Sequence, residues 1–204
     1  RNLPENIQLQ VSNSSPIRYL QLVALPKSIE VFSNRGTSGI DGSTSTAIGA
    51  AVANKKPTIF VTGDISFLYD SNALWNNYIP KHFKIILINN SGGGIFRILP
   101  GHEETETFNT FFETSHHLTA EHLAKMYAFD YTSVQDDVEL HAVWDSFISN
   151  DNNPSILEIF TPEKINDIVL LDAEGNPIKK RNRFTLCNCG KTLDVPFCDG
   201  AHKQ

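Results

Sequence analysis

No hydrophobic run in the 204 residues approaches a bilayer span. The longest, such as Ile85 to Ile88, fall far short of the roughly 20 apolar residues a membrane helix needs, so no membrane partner is expected. Basic charge is also lacking: 17 Lys and Arg against 23 Asp and Glu leave a net charge of −6. With no basic excess, nothing argues for nucleic acid or an anionic surface as partner. Cysteine is scarce and odd in number, and all 3 residues fall between Cys187 and Cys198. That argues against a disulfide framework and for metal ligation in a reducing compartment, the cytoplasm. No stretch reads as a signal peptide, and the chain opens at Arg1 rather than Met. The expectation is an upstream portion. There is no internal repeat and no low-complexity segment.

What is present is an apolar content of 40%, enough for one α/β domain with something small beside it. The most informative stretch runs from Thr58 to Phe96. It holds two apolar, β-rich runs, the first closed by Gly63-Asp64 and the second by Asn89-Asn90-Ser91-Gly92. The interval between them leaves room for one crossover helix and a return strand. Asp64 and Asn90 are therefore expected at the carboxyl ends of adjacent parallel strands, where open α/β sheets bind ligands. A carboxylate, an amide oxygen and a carbonyl from a Gly-rich turn make a hard-oxygen site suited to Mg²⁺. The glycines after Asn90 allow the backbone close to a diphosphate.

Around this centre strand and helix alternate. Ile7 to Val11 reads as a strand, Pro16 to Leu25 as a helix capped by Ser15, and Glu30 to Ser33 as a strand. Ser43 to Asn54 reads as a helix of small residues, and a further helix is expected from about Phe67 to Asn77. Pro100 to His117 reads as a long irregular loop, with Glu103, Glu104, Glu106, His116 and His117 solvated. Thr119 can cap a helix to Phe129, Tyr131 to Val134 is strand-like, and Leu140, Val143, Trp144, Phe147 and Ile148 mark an amphipathic helix from Asp137. Ser155 to Phe160 closes the series as a buried strand. The fold class is α/β, a parallel sheet covered on both faces. Composition changes at about Leu171, which divides the chain into 1–170 and a small β-rich module, 171–204.

Gly63-Asp64 followed by Asn89-Asn90 is the hallmark pattern of the diphosphate-binding domain of thiamine diphosphate (ThDP) enzymes, which residues 1–170 resemble. Taken alone, Gly-Asp after a strand is also an ordinary turn. The loop from Ser33 to Gly42, Asn13-Ser14 with Arg18, and the run from Asn90 to Phe96 sharpen the likeness. They are similar to the C-terminal third of the 2-succinyl-5-enolpyruvyl-6-hydroxy-3-cyclohexene-1-carboxylate (SEPHCHC) synthases of menaquinone biosynthesis. The resemblance implies Mg²⁺ (or Mn²⁺) on Asp64, Asn90 and the carbonyl of Gly92, with Ser14, Gly63, Ser66 and Gly93 at the phosphates. It implies Ser38 and Ile40 at the aminopyrimidine, and Ile95 and Phe96 beside the thiazolium. Arg18 and Arg35 would clamp substrate carboxylates, a task that suits the guanidinium fork. The implied reaction decarboxylates 2-oxoglutarate and adds the remaining carbon unit to isochorismate.

Simpler readings exist residue by residue. Arg18 can be merely solvated, Ile95 and Phe96 can be core, and Asp41 can serve only its own turn. The family's activating glutamate lies on an N-terminal domain, usually donated by a neighbouring subunit of a homodimer or homotetramer. Nothing in these residues resembles that domain, so the expectation is half an active site that does not turn over alone.

The tail carries a second pattern. Cys187, Cys189, Cys198 and His202 stand in the spacing C-x-C-x8-C-x3-H, and the segment from Cys187 to His202 is similar to the CDGSH iron–sulfur pattern, with Ala201 in its small-residue slot. The resemblance implies a [2Fe–2S] cluster on those four residues. Structural zinc is the rival, since three Cys and one His also make a tetrahedral site. The spacing is unlike the usual zinc knuckle and favours the cluster. A tail this poor in apolar residues needs a metal to fold. Three readings therefore stand: a ThDP synthase fragment carrying a cluster domain, a CDGSH redox protein on an inactive α/β scaffold, or an accidental join of two modules of which neither depends on the other. The purified chain is expected to be red-brown, with visible absorption that acid bleaches; a colourless protein holding stoichiometric zinc would exclude iron–sulfur.

Overall fold

Strand and helix alternate from Gln8 to Phe160 in a computed structural model that describes residues 3–54, 56–98 and 103–162. The elements are β1 (Gln8–Val11), α1 (Ser15–Leu20), β2 (Glu30–Ser33), α2 (Ser43–Ala53), β3 (Thr58–Gly63), α3 (Asp64–Tyr69), β4 (Lys84–Asn89), α4 (Ile95–Ile98), α5 (Glu121–Met126), β5 (Asp130–Val134), α6 (Asp137–Ser149) and β6 (Ser155–Phe160). The strands form one parallel sheet in the order β2-β1-β3-β4-β6-β5.

Side chains on a strand alternate between faces, and both faces are buried along β1, β3, β4 and β6. The edge strand β2 is largely exposed, contrary to the expectation of a sheet covered throughout. Phe60, Ile85, Leu87 and Ile156 face one core, packed by α2, α3 and α5 through Ala47, Ala51, Phe67 and Ala124. Leu9, Ile59, Ile86 and Leu157 face the other, closed by Ile17 of α1 and Phe147 of α6. The small residues of α2 let it lie close to the sheet. Its first turn is tied by Asp70, whose carboxylate accepts the N–H and the hydroxyl of Ser45, each at 2.6 Å.

Several local expectations give way to tertiary contacts. The helix begun by Pro16 ends at Leu20 rather than Leu25. The crossover helix starts at Asp64 itself, not near Phe67, and passes into a 3₁₀ turn over Ser71–Trp75. Residues of the expected loop 100–117 wind into a π-helical turn at Phe108–Glu113. Thr119 does not occupy the cap of α5; that position is Ala120, whose N–H goes to Glu158. Among the described residues no helix is long and apolar enough to cross a membrane. The expected module boundary at about 171, with Cys187, Cys189, Cys198 and His202, lies outside the described residues.

One buried carboxylate organises the upper end of the sheet. Glu158 of β6 is 0% exposed and accepts from Asn89 Nδ2 at 2.7 Å, from the N–H of Ala120 at 3.0 Å and from the Tyr131 hydroxyl at 2.5 Å. Burial and this carboxylate hold the Tyr131 phenol above its ordinary range. Glu158→Leu strands three donors, each costing about 1–3 kcal/mol when unsatisfied, so urea unfolding is expected to show a loss of about 3 kcal/mol or more. Tyr131→Phe is expected to lose about 1 kcal/mol in the same titration.

Candidate active site

The chain runs outward from β1 to β2, then returns across β1 to β3. The sheet order therefore reverses between β1 and β3, and a cavity of about 430 Å³ opens at the carboxyl ends of β1, β3 and β4. That is a cofactor-sized volume at the place where open α/β sheets bind ligands.

Each strand tip contributes in register. Gly63 pairs with Ile88, so Asp64 stands level with the end of β4 and beside Asn90. The Asp64 carboxylate is 3% exposed. Its Oδ1 accepts the N–H of Ile65 at 2.7 Å, and its Oδ2 accepts the N–H groups of Gly92 at 2.9 Å and Asn90 at 3.2 Å. Burial pushes this carboxyl above the usual carboxylate range. The Ile65 and Gly92 N–H groups, nearby His116 and the Asn90 N–H pull it part of the way back. Of the Asn-Asn pair only Asn90 lines the cavity; Asn89 is turned into the protein and donates to Glu158 and to the carbonyl of Leu118.

At the tip of β1, Asn13 donates to the carbonyls of Asn34 at 2.9 Å and Gly39 at 2.6 Å, which draws the 34–42 loop to the cavity. Its own Oδ1 is buried with no hydrogen-bond partner, and Asn13 is among the lining residues. Ser66 of α3 donates to the carbonyl of Ile40 at 2.5 Å, fastening the same loop from the other side. Asp41 serves its own turn, accepting from the N–H of Gly42.

All the residues expected at the site meet here: Ser14, Arg18, Arg35, Ser38, Ile40, Gly63, Asp64, Ser66, Asn90, Gly92, Gly93, Ile95 and Phe96 line one cavity. Arg18 and Arg35 are exposed at its edge, with no carboxylate partner among the described residues. The donor set fits a divalent ion with a diphosphate. It offers a buried carboxylate, an amide and backbone carbonyls as hard oxygens, with hydroxyls and two guanidinium groups around them. No three His, Cys, Asp or Glu side chains converge among the described residues, so any metal here depends on amide and backbone oxygens.

Asn13, part of the Asn13-Ser14 motif but given no role from the sequence, also lines the wall. Tyr69, Phe111, Phe112 and Thr114 join it without having been legible, and Phe111 stands 75% exposed at the mouth. His116, expected in solvent, is instead nearly enclosed. Its Nε2 comes within 3.3 Å of Asp64 Oδ2, though not aligned as a hydrogen bond. Glu104, expected in a solvated acidic patch, pairs with Arg97 at 2.5 Å. The spacing of Phe108, Phe111 and Phe112 inside a polar stretch is the one signal that pointed to a folded segment there. A further mark is the backbone: Ser14, Ser38, Ser91 and Thr114 have φ of 74°, 59°, 61° and 52°, and such left-handed residues cluster at functional sites.

The turn after β4 leaves no room for a side chain at Gly92. A Cβ on Gly92, whose φ is +154°, would come 2.7 Å from the carbonyl oxygen of Glu113, whereas one on Gly36 would meet nothing within 4 Å. Gly92→Ala is expected to destabilise by about 1–3 kcal/mol in urea unfolding, and Gly36→Ala by no more than about 0.5 kcal/mol.

The family model for the thiamine pyrophosphate enzyme C-terminal TPP binding domain matches residues 16–159, and that for the iron-binding zinc finger of CDGSH type matches residues 161–203. The SEPHCHC synthase of Flavobacterium johnsoniae is 66% identical over 169 residues, covering 83% of this chain and 30% of its own length. That of Flavobacterium psychrophilum is 68% identical over 170 residues, covering 83% and 31%. The chain thus spans less than a third of the length of these curated relatives. Among solved structures, benzoylformate decarboxylase from Polynucleobacter necessarius is similar at a TM-score of 0.58 and 17% identity, over 82% of this chain and 32% of that one. The 4-hydroxybenzoylformate decarboxylase of Rhodococcus jostii is similar at a TM-score of 0.57 and 22% identity, over 78% and 30%. These two likenesses speak for the fold.

Proposed function

The chain belongs to the thiamine pyrophosphate enzymes, whose C-terminal TPP-binding domain it carries, and from that membership we propose that it is the cofactor-holding part of a SEPHCHC synthase. The observation that carries the reading is the shared reach of Asp64 and the 90–92 backbone at the tips of β3 and β4. Asp64, Asn90 and the carbonyl of Gly92 would hold Mg²⁺ or Mn²⁺, and Ser14, Gly63, Ser66 and Gly93 would meet the diphosphate. Ser38 and Ile40 would flank the aminopyrimidine. When bound, thiamine diphosphate supplies the carbon nucleophile for decarboxylating a 2-oxo acid.

The chain's own residues would then select and orient the substrates. Arg18 and Arg35 stand at the cavity edge with no carboxylate partner among the described residues, and a polyanion such as 2-oxoglutarate or isochorismate would give each guanidinium a carboxylate. Ile95 and Phe96, with the exposed Phe111 beside them, form an apolar wall against which a ring can lie while water is excluded. An activating glutamate would come from an N-terminal synthase domain, and the working unit would be a homodimer or homotetramer in the cytoplasm. The segment 171–204 would form a separate CDGSH module with [2Fe–2S] on Cys187, Cys189, Cys198 and His202; its match to the iron-binding family supports this. The convergence of the expected residues on one cavity favours a working site over an inactive scaffold.

A ThDP titration with and without Mg²⁺, on protein of measured metal content, tests the reading. Saturable, Mg²⁺-dependent binding is expected, weakened by about a hundredfold or more in Asp64→Ala, beyond the usual cost of losing an outer-shell partner. Asp64→Asn, which keeps the size of the side chain, is expected to lose binding as well. Wild-type protein that ignores ThDP, or an Asp64→Asn variant that binds as before, would overturn the assignment.

A further inference from the structure

The buried ion pair between Arg97 and Glu113 plays no part in the reading above, and neither side chain lines the cavity. We propose that Arg97 and Glu113 are positioning residues, a pair that pins the segment 103–118 onto the turn Gly92-Gly93-Gly94 and so sets the shape of the cavity around a bound diphosphate. This rests on the cavity being a ThDP site.

Glu113 acts through both of its ends. Its side chain is 2% exposed, and Arg97 of α4 meets both carboxylate oxygens, Nε at one and Nη2 at the other. This is the bidentate fork that only arginine provides. Its backbone carbonyl accepts the N–H of Gly93 at 2.5 Å. One residue thus holds α4 by its side chain and the glycine turn by its main chain. Arg97 is fixed in turn: Nη1 donates to Glu104 at 2.5 Å, and the guanidinium lies 5.7 Å from the centre of the Phe108 ring.

Two further contacts lie along the same seam. The N–H of His116 donates to the carbonyl of Ser91 at 3.0 Å, and a Cβ on Gly93 would come 2.8 Å from the carbonyl of Phe112. The segment and the turn are therefore in backbone contact, an approach only glycine permits. The aromatic wall depends on the same seam, since Phe112 meets Phe96 edge-on at 5.6 Å and stacks on Phe108 at 6.3 Å. Replacing a buried ion pair by apolar groups is often neutral for stability, so the pair is better explained by the geometry it imposes.

The test uses the full chain with Arg97→Met, Glu113→Gln, the double variant and Arg97→Lys. ThDP affinity in Mg²⁺ is read by calorimetry, and proteolytic cleavage within 103–118 is read without cofactor. Each single variant is expected to weaken ThDP binding by about tenfold, as loss of an outer-shell partner does. The double variant should be no weaker than the poorer single, because the two residues act as one unit. Arg97→Lys should recover part of the affinity, and cleavage within 103–118 should quicken in every variant without the fork. Single variants binding within about twofold of wild type, or losses that multiply in the double, would overturn the proposal. If a single variant fails to fold, the double decides, and wild-type affinity in it would be fatal. Wild-type protein that binds no ThDP would remove the functional reading instead, and unchanged cleavage in the variants would then refute the pair separately.

Discussion

The Asp64 carboxylate is the constraint on which the upper face of this molecule depends. A buried anion at a strand tip is costly unless donors surround it, and here the chain brings three backbone N–H groups to it from the segments that follow β3 and β4. One is local, from the first turn of α3, and two come from the turn after β4. The same hydrogen bonds therefore join β3 to β4 beyond the sheet and hold the glycine turn in place. Burial still leaves the carboxyl raised, a state that a divalent cation at the cavity would relieve.

Around this centre the molecule keeps rigid matter below and shaped backbone above. The inner strands carry apolar core residues on both faces, with Phe60, Ile85 and Ile156 on one side and Ile59, Ile86 and Leu157 on the other. Above it, polar contacts replace hydrophobic packing. Asn13 gathers the 34–42 loop, Glu158 gathers Asn89, Ala120 and Tyr131, and Glu113 gathers Arg97 and Gly93. Each gathers groups that lie far apart in the chain, and directional hydrogen bonds orient loops in a way that area burial does not.

Much of this was legible beforehand. The six strands were read close to their observed bounds because β-rich apolar runs closed by small polar residues have few other solutions in an alternating pattern. Asp64, Asn90 and the glycines after it were found because paired polar residues and glycine at strand ends have little local reason to be there. Ser14, Arg18, Arg35, Ser38, Ile40, Ile95 and Phe96 came instead from the resemblance to the ThDP enzymes. The misses share a physical origin. The segment 103–118 is polar apart from the short spacing Phe108, Phe111 and Phe112, and its π-helical turn is packed against Arg97, Gly93 and Phe96. His116 looked solvated because nothing near it in the chain says that Asp64 is close.

By itself, then, the sequence determined the alternating α/β order, the parallel sheet and the placing of Asp64 and Asn90 at neighbouring strand tips, since these follow from local period and from the length of one crossover. The tertiary structure alone decided that Asn89 turns inward while Asn90 faces the cavity, that Glu113 is buried against Arg97, and that the aromatic wall comes from a stretch with a loop's composition. Those outcomes depend on which groups meet across long separations in the chain, and a carboxylate or an amide takes its role from the donors that reach it.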